Sequence, residues 1–226
     1  MGNCENCAIK SRATETLSVE ELELHDQNCT EVTVKAGEII IKEGLLSSHI
    51  AYLKSGLAKI HKKGVKGTDQ ILKILQPGSY IGMQTILSNK IHQYSASAVE
   101  NSQVCFIDIN LFKQLITKNT QFANELILYL CGDELTYFDR FVNIHQKQIN
   151  GRLADTILFF SNEINNGNLE FDLPLSRYDL AALIFATRES VTRSIKELSD
   201  IGAILVNGKH IKILNLSLLK TISEKG

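Results

Sequence analysis

Ser176-Arg-Tyr-Asp-Leu-Ala-Ala-Leu-Ile-Phe-Ala-Thr-Arg-Glu-Ser-Val-Thr-Arg-Ser-Ile-Lys-Glu-Leu198 decides how this 226-residue chain is read. Ser176 is a good N-cap, and Asp179 three residues later suits the positive end of a helix dipole. Leu180, Leu183 and Ile184 supply a stripe to bury. Thr187 can cap a second helix after a very short connection, as a helix-turn-helix needs. On that second helix Arg188, Glu189, Thr192 and Arg193 lie on or beside one face, and Val191, Ile195 and Leu198 mark the other. Arginine donates two parallel hydrogen bonds to guanine O6 and N7, and glutamate accepts from cytosine N4, so such a helix can read DNA. The plainer reading is a surface helix with an i,i+4 pair between Glu189 and Arg193.

The flanking sequence separates the two readings. Gly202 fits a left-handed residue closing the second helix. Ala203 to Leu214 then alternates around Asn207-Gly208, a strong hairpin signal. Helix, turn, helix and hairpin make a winged helix, with Lys209 and His210 placed beside the wing tip to meet phosphate. Charge agrees: residues 174–226 carry +3 and the remainder −4, within an overall −1. That asymmetry suits a DNA-reading tail on an acidic sensor.

Arg188-Glu189-x-x-x-Arg193 after a capped short helix, with Gly208-Lys209 in the wing, resembles the Crp/Fnr family of bacterial transcription regulators. The resemblance implies base contacts by Arg188, Glu189 and Arg193, with Thr192 at the family's variable specificity position. It implies phosphate contacts by Arg177, Thr187, Ser190, Lys196 and Lys209. One departure stands out: the family usually has glycine at the inter-helix turn, and this chain has Phe185. A left-handed phenylalanine costs on the order of 1–2 kcal/mol. Either the turn differs locally, or Phe185 gains enough by packing, core filling being the simplest form of that gain.

The chain has room for two domains. Residues 30–110 hold short alternating segments broken at glycines, a pattern that fits a sandwich or jelly-roll barrel. Lys35-Ala-Gly-Glu-Ile-Ile-Ile-Lys-Glu-Gly44 and Leu75-Gln-Pro-Gly-Ser-Tyr-Ile-Gly82 resemble the family's cyclic-nucleotide-binding-type barrel. From Gln121 to about Gln148 the pattern turns helical, with Phe122, Leu126, Leu130, Tyr137, Phe141 and Ile144 as a stripe. In the family such a helix makes the dimer interface, where Asp133 and Arg140 could pair across the two-fold axis. A helix packed on its own barrel is the other reading. The fold class expected is α+β: a cysteine-bearing tail over 1–16, an effector barrel over 17–120, a dimerisation helix over 121–148 and a winged helix-turn-helix over 149–226.

The family's nucleotide-binding members place Gly-Glu after the Pro-Gly turn and Arg-Ser about ten residues later. Here the matching positions are Gly82-Met83-Gln84 and Tyr94-Ser95. Met83 is a poor hydrogen-bond acceptor and Tyr94 carries no positive charge, so a cyclic phosphate would lose its guanidinium partner. That argues against cyclic AMP bound in the usual way and leaves another anion or an apolar ligand open at this effector pocket.

The cysteines are Cys4, Cys7, Cys29, Cys105 and Cys131, an odd and irregular set that argues against a disulfide framework. Redox-sensing Fnr-type members place iron–sulfur ligands in an N-terminal cysteine cluster and on the strand that carries Cys105. Cys4, Cys7 and Cys105 match three of those four positions. The fourth is Ala13, leaving Cys29 as the nearby substitute, and a cluster needs four ligands. Thiol switching at Cys4 and Cys7, or simple burial of Cys105 and Cys131, are the other readings.

No 18-residue apolar run or signal-peptide pattern is present, so a soluble, cytoplasmic protein without membrane contact is expected. No His-x-His cluster, nucleophile elbow, Walker loop or pair of acids points to an enzyme. The partners implied are double-stranded DNA with a near-palindromic operator, a second copy of the chain, and RNA polymerase. The alternative is a ligand-binding or protein-interaction module whose winged helix does not bind DNA.

Overall fold

The computed structural model describes residues 7, 9–64, 67–88 and 90–226. They form two compact units, Met1–Glu134 and Leu135–Gly226. Cys4 lies outside the described residues.

The first unit opens with α1 (Arg12–Glu15) and α2 (Val19–Gln27), followed by β1 (Cys29–Val34), β2 (Ile39–Ile41), β3 (His49–Ser55), β4 (Ala58–Lys63) and β5 (Asp69–Leu75). Next come β6 (Tyr80–Ile81), α3 (Met83–Leu87), β7 (Ser95–Ala98), β8 (Ser102–Asp108), α4 (Ile109–Lys118) and α5 (Thr120–Gln146). The strands make two four-stranded sheets, β1-β8-β3-β6 and β2-β7-β4-β5. The sheets share no strand, so the expected barrel is an open jelly-roll sandwich rather than a closed one.

Burial follows from this layering. Val34, Leu53, Ile81 and Val104 of the first sheet meet Ile41, Ala58, Ile60, Leu75 and Ala96 of the second. The opposite face of the first sheet carries Cys29, Ile50, Tyr52, Tyr80 and Cys105 under Leu17, Leu111, Phe112, Phe122 and Leu126 of the helical side. Ile50, Ala51, Tyr52 and Leu53 are therefore all buried, because alternate side chains enter two different covered faces. Tyr80 centres an aromatic cluster, with ring centroids 4.8 Å from Tyr52, 5.8 Å from Phe112 and 5.6 Å from Tyr129.

The second unit contains the end of α5, then α6 (Ile149–Phe159), β9 (Glu170–Asp172), α7 (Arg177–Ile184), α8 (Arg188–Asp200), β10 (Ile204–Asn207), β11 (His210–Ile213) and α9 (Leu216–Lys225). Its sheet runs β10-β11-β9. Asn207 pairs with His210, so the hairpin loop is Gly208-Lys209, one residue later than the Asn-Gly signal suggests. Gly208 has φ 63°, which glycine adopts without the Cβ clash other residues meet.

Along α5 the expected stripe divides. Phe122 and Leu126 are buried, Leu130, Tyr137 and Ile144 are half-buried, and Phe141 is 66% exposed. A second stripe faces outward: Leu128, Cys131, Leu135, Phe138 and Val142, spaced alternately by three and four, are all exposed. That spacing is the a/d seam of a coiled coil. Asp133 and Arg140 stand on the other side of the helix, and the expectation that they pair across a two-fold axis is corrected. Asp133 pairs with Lys73 of its own unit, and Arg140 donates to the Leu183 carbonyl within the other.

Candidate nucleic-acid interface and sensor site

The two helices of the expected motif form as their caps dictate. Ser176 Oγ accepts from Asp179 N at 3.0 Å while Asp179 Oδ2 accepts from Ser176 N at 3.1 Å, a reciprocal box that starts α7. Leu180, Leu183 and Ile184 are buried beneath it. Phe185 then takes φ 54° and ψ 53°. The turn is therefore left-handed as in the glycine form, and Phe185 is 39% exposed, so core filling does not account for it. Thr187 Oγ1 accepts from Ser190 N at 3.1 Å and starts α8.

Arg188, Glu189, Thr192, Arg193 and Lys196 are all exposed on α8, while Val191, Ser194 and Leu198 are buried and Ile195 is half-buried. Ser194 is held by Asn150 of α6. Glu189 sits in the first turn, where backbone N–H bonding and then Thr187 hold its carboxyl below the usual carboxylate range. It is thus an ionised, acceptor-only group at neutral pH, as a contact to cytosine N4 requires. Thr192 donates its hydroxyl to Arg188 O at 2.9 Å and remains exposed.

The residues expected to meet phosphate lie at the starts of α7 and α8, on α8 and at the hairpin. Lys196 and Lys209 are exposed, Lys209 at the hairpin tip. Arg177 donates to Gly208 O at 3.2 Å, joining the start of α7 to the wing with one of its five N–H groups. Thr187 donates to Ser190 Oγ at 3.0 Å, leaving the Ser190 hydroxyl proton available. Both His210 ring nitrogens are already engaged, with Asp172 at 2.8 Å and Glu170 at 3.1 Å, although its side chain is exposed.

In the first unit three of the proposed effector residues, Gly82, Gln84 and Tyr94, bond to one another. Gly82, at φ 89°, begins α3, and a Cβ there would come within 3.2 Å of His92 Cε1. Its N–H donates to Tyr94 Oη at 3.0 Å, and Tyr94 Oη donates to Gln84 Oε1 at 2.9 Å. Burial pushes the Tyr94 phenol up to about 12, so it stays a neutral donor. Ser95 Oγ accepts from Glu43 N at 3.0 Å. Met83 is 1% exposed and packs into the helical-side core.

Residues 31–119 match the family model of the cyclic nucleotide-binding domain, and residues 151–222 match that of the Crp-like helix-turn-helix domain. The chain belongs to the Crp/Fnr family of transcription regulators. Relatives include the anaerobic regulatory protein of Aggregatibacter actinomycetemcomitans, 24% identical over 227 residues, covering 98% of this chain and 88% of that one. Electron transport regulator A of Shewanella oneidensis is 26% identical over 218 residues, covering 94% and 87%. Among solved structures, FixK2 of Bradyrhizobium japonicum superposes with a TM-score of 0.76 at 22% identity, over 86% of this chain and 96% of that one. A Crp/Fnr-family regulator from Eubacterium rectale gives a TM-score of 0.78 at 18% identity, over 93% and 96%. The chain is thus a DNA-binding regulator of transcription.

In this Crp/Fnr chain the cysteines are partly gathered. Tyr52 donates to Ile9 O at 3.1 Å, docking the N-terminal segment on β3. Cys105 is the cross-strand partner of Tyr52, and Cys7 Sγ donates to the same Ile9 carbonyl that Tyr52 does. Cys29 and Cys105 are buried, on neighbouring strands of one sheet face. Cys7 Sγ donates to Ile9 O at 3.3 Å, and Cys131 is exposed on the α5 seam. Among the described residues no group of three His, Cys, Asp or Glu is arranged to hold a metal ion. Ala13 is buried where the family's further ligand would stand. Of the four cysteines expected to hold an iron–sulfur cluster, Cys7, Cys29 and Cys105 are described and Cys4 lies outside the described residues.

Sequence reasoning placed Arg140 across a two-fold axis and did not single out Arg152, yet both reach carbonyls at the end of α7. Arg152 Nη1 donates to Ile184 O at 2.7 Å and Phe185 O at 3.3 Å, beside the Arg140 bond to Leu183 O. A basic residue in a helix gives no sign of which carbonyl it will reach, so only the tertiary packing reveals them. Among the described residues no helix is long and apolar enough to cross a membrane.

Proposed function

We propose that the chain acts as a homodimer whose two α8 helices enter successive major grooves, about 34 Å apart, of a near-palindromic operator. Arg188, Glu189, Thr192 and Arg193 read base edges. Arg177, Thr187, Ser190, Lys196 and Lys209 hold phosphates and set the register. The observation that carries this reading is the division of α8, with every base-reading side chain exposed and Val191 and Leu198 buried behind them. The exposed seam of α5 supports the dimer. RNA polymerase is the further partner that a regulator of this family would address.

The sensor does not take a cyclic nucleotide in the usual manner, since a neutral phenol from Tyr94 already occupies the Gly82 N–H. Redox sensing is the reading favoured by the names of the relatives and by the placing of Cys7 and Cys105 against Ile9 and Tyr52. DNA affinity should then differ between anaerobic and air-exposed protein, and Cys7→Ser should abolish the difference. Equal affinities in the wild type would end the redox reading.

DNA binding itself is tested by a gel shift with mixed-sequence duplex across a salt series. Affinity should fall steeply with salt, because releasing counterions into a saltier bulk gains less free energy. Absence of any shift at low salt would favour a winged helix that engages a protein instead.

A further inference from the structure

We propose that Arg140 is a positioning residue for DNA reading, holding the left-handed turn at Phe185 and making the turn between α7 and α8 follow α5; this rests on the DNA-reading proposal above. Helix ends leave carbonyls without intrahelical partners. At the end of α7, Phe185 N–H and Ala186 N–H both go to Ala181 O. The carbonyls of Leu183, Ile184 and Phe185 are instead taken by Arg140 and Arg152. Two guanidinium groups therefore stand at the negative end of the α7 dipole.

Phe185 needs this support. L-residues other than asparagine and aspartate enter the left-handed region at a cost, and a residue 39% exposed offsets little of that cost by burial. The Arg140 guanidinium carbon lies 6.0 Å from the Phe185 ring centroid, within reach of a cation–π contact. Burial lowers the Arg140 guanidinium to about 10, so it remains charged at neutral pH, and the low-dielectric surroundings strengthen its bonds.

The location gives the clamp its role. Arg140 lies on α5 between Phe138 and Phe141, which are 56% and 66% exposed. The same turns of one helix thus present apolar surface outward and grip the recognition turn inward. Neighbouring residues on a helix are fixed in angle, so any rotation of α5 that repacks the seam carries Arg140 with it. The presentation of Arg188 and Glu189, which follow the turn directly, is then set by α5.

The test uses full-length wild type, Arg140→Gln, Arg140→Lys, Phe185→Gly and the double variant R140Q/F185G. Each is measured for dimerisation by sedimentation, for unfolding midpoint, and for affinity to an operator selected by the wild type. Arg140→Gln should stay dimeric and lose roughly tenfold or more in affinity, the scale of one lost hydrogen bond to a charged donor. Arg140→Lys should fall between. Phe185→Gly should bind like the wild type, and the double variant should recover most of the loss, because glycine adopts the turn unaided. Arg140→Gln binding as the wild type does, or a folded, dimeric double variant no better than Arg140→Gln, overturns the proposal. If the wild type selects no operator, the DNA reading fails, and unfolding judges the clamp separately. Arg140→Gln must then lower the midpoint more beside Phe185 than in the F185G background; equal shifts overturn it.

Discussion

Replacing Phe138 with alanine should weaken the dimer while sparing the protomer fold. In the single chain the Phe138 ring is 56% exposed, so its removal costs the folded protomer little. Phenylalanine presents on the order of 200 Å² for burial, so a two-fold seam would cover about 100 Å² more on each chain. At about 25 cal/mol per Å² that is roughly 2.5 kcal/mol per protomer and about 5 kcal/mol per dimer. Alanine keeps part of that contact, leaving a loss of about 3–4 kcal/mol, or roughly 10²–10³-fold in the dimer dissociation constant. Sedimentation equilibrium over a concentration series measures it directly, with circular dichroism confirming that the helix content is kept. An unchanged dissociation constant would show that the exposed Leu128, Leu135, Phe138 and Val142 stripe is not the interface, and the two-headed reading of DNA would lose its basis.

Three other outcomes follow from single side chains. Lys209→Ala should weaken binding to all sequences alike and reduce the salt slope by about 1, since a phosphate contact carries no base information; a change in base preference would contradict that role. Tyr94→Phe leaves the Gly82 N–H and Gln84 without their shared partner, and should destabilise the first unit by about 1–3 kcal/mol in denaturant unfolding, whereas an unchanged midpoint would show that the bonded cassette contributes nothing. His210 is raised above its ordinary 6.5 by Asp172 and then Glu170, so its support of the β9–β11 pairing is complete below about that pH and fades as pH rises through the raised value; a titration by NMR with a midpoint below 6.5 would refute it.

The recognition helix was the most legible part of the chain. Its capping residues, its exposed basic and acidic side chains and its apolar back all follow from local spacing, and the structure places each where the period demands. Other elements were less visible for identifiable reasons. The strand Ser95–Ala98 is built from serine and alanine, which carry no strand preference, yet Ala96 and Ala98 are buried at the centre of a sheet. The strand Glu170–Asp172 is three residues long and exists because β11 offers it an edge. The hairpin signal at Asn207-Gly208 marked the wing correctly but fell one residue early, since strand pairing at Asn207–His210 chose the loop.

The long helix shows the deeper limit. Both sides of α5 are rich in apolar residues, and periodicity alone does not say which side is covered within each unit. That choice decides everything about Asp133 and Arg140. Both stand opposite the seam, where Lys73 and the Leu183 carbonyl reach them, so neither is free to bridge two subunits. The sensor site was legible as a departure from the nucleotide-binding pattern. That Tyr94 bonds to Gly82 and Gln84 depends on the segment leading into β7 meeting the start of α3, which no local pattern encodes.

The most direct measurement is selection from random duplexes by the wild-type protein and by Glu189→Ala in parallel. The wild type should enrich two inverted half-sites about one helical turn apart. The variant should keep that spacing and lose preference at a single position in each half, at a cost of about 1–3 kcal/mol. Enrichment of no inverted repeat, or identical base preference in the two proteins, would contradict the assignment of α8 as the element that reads DNA.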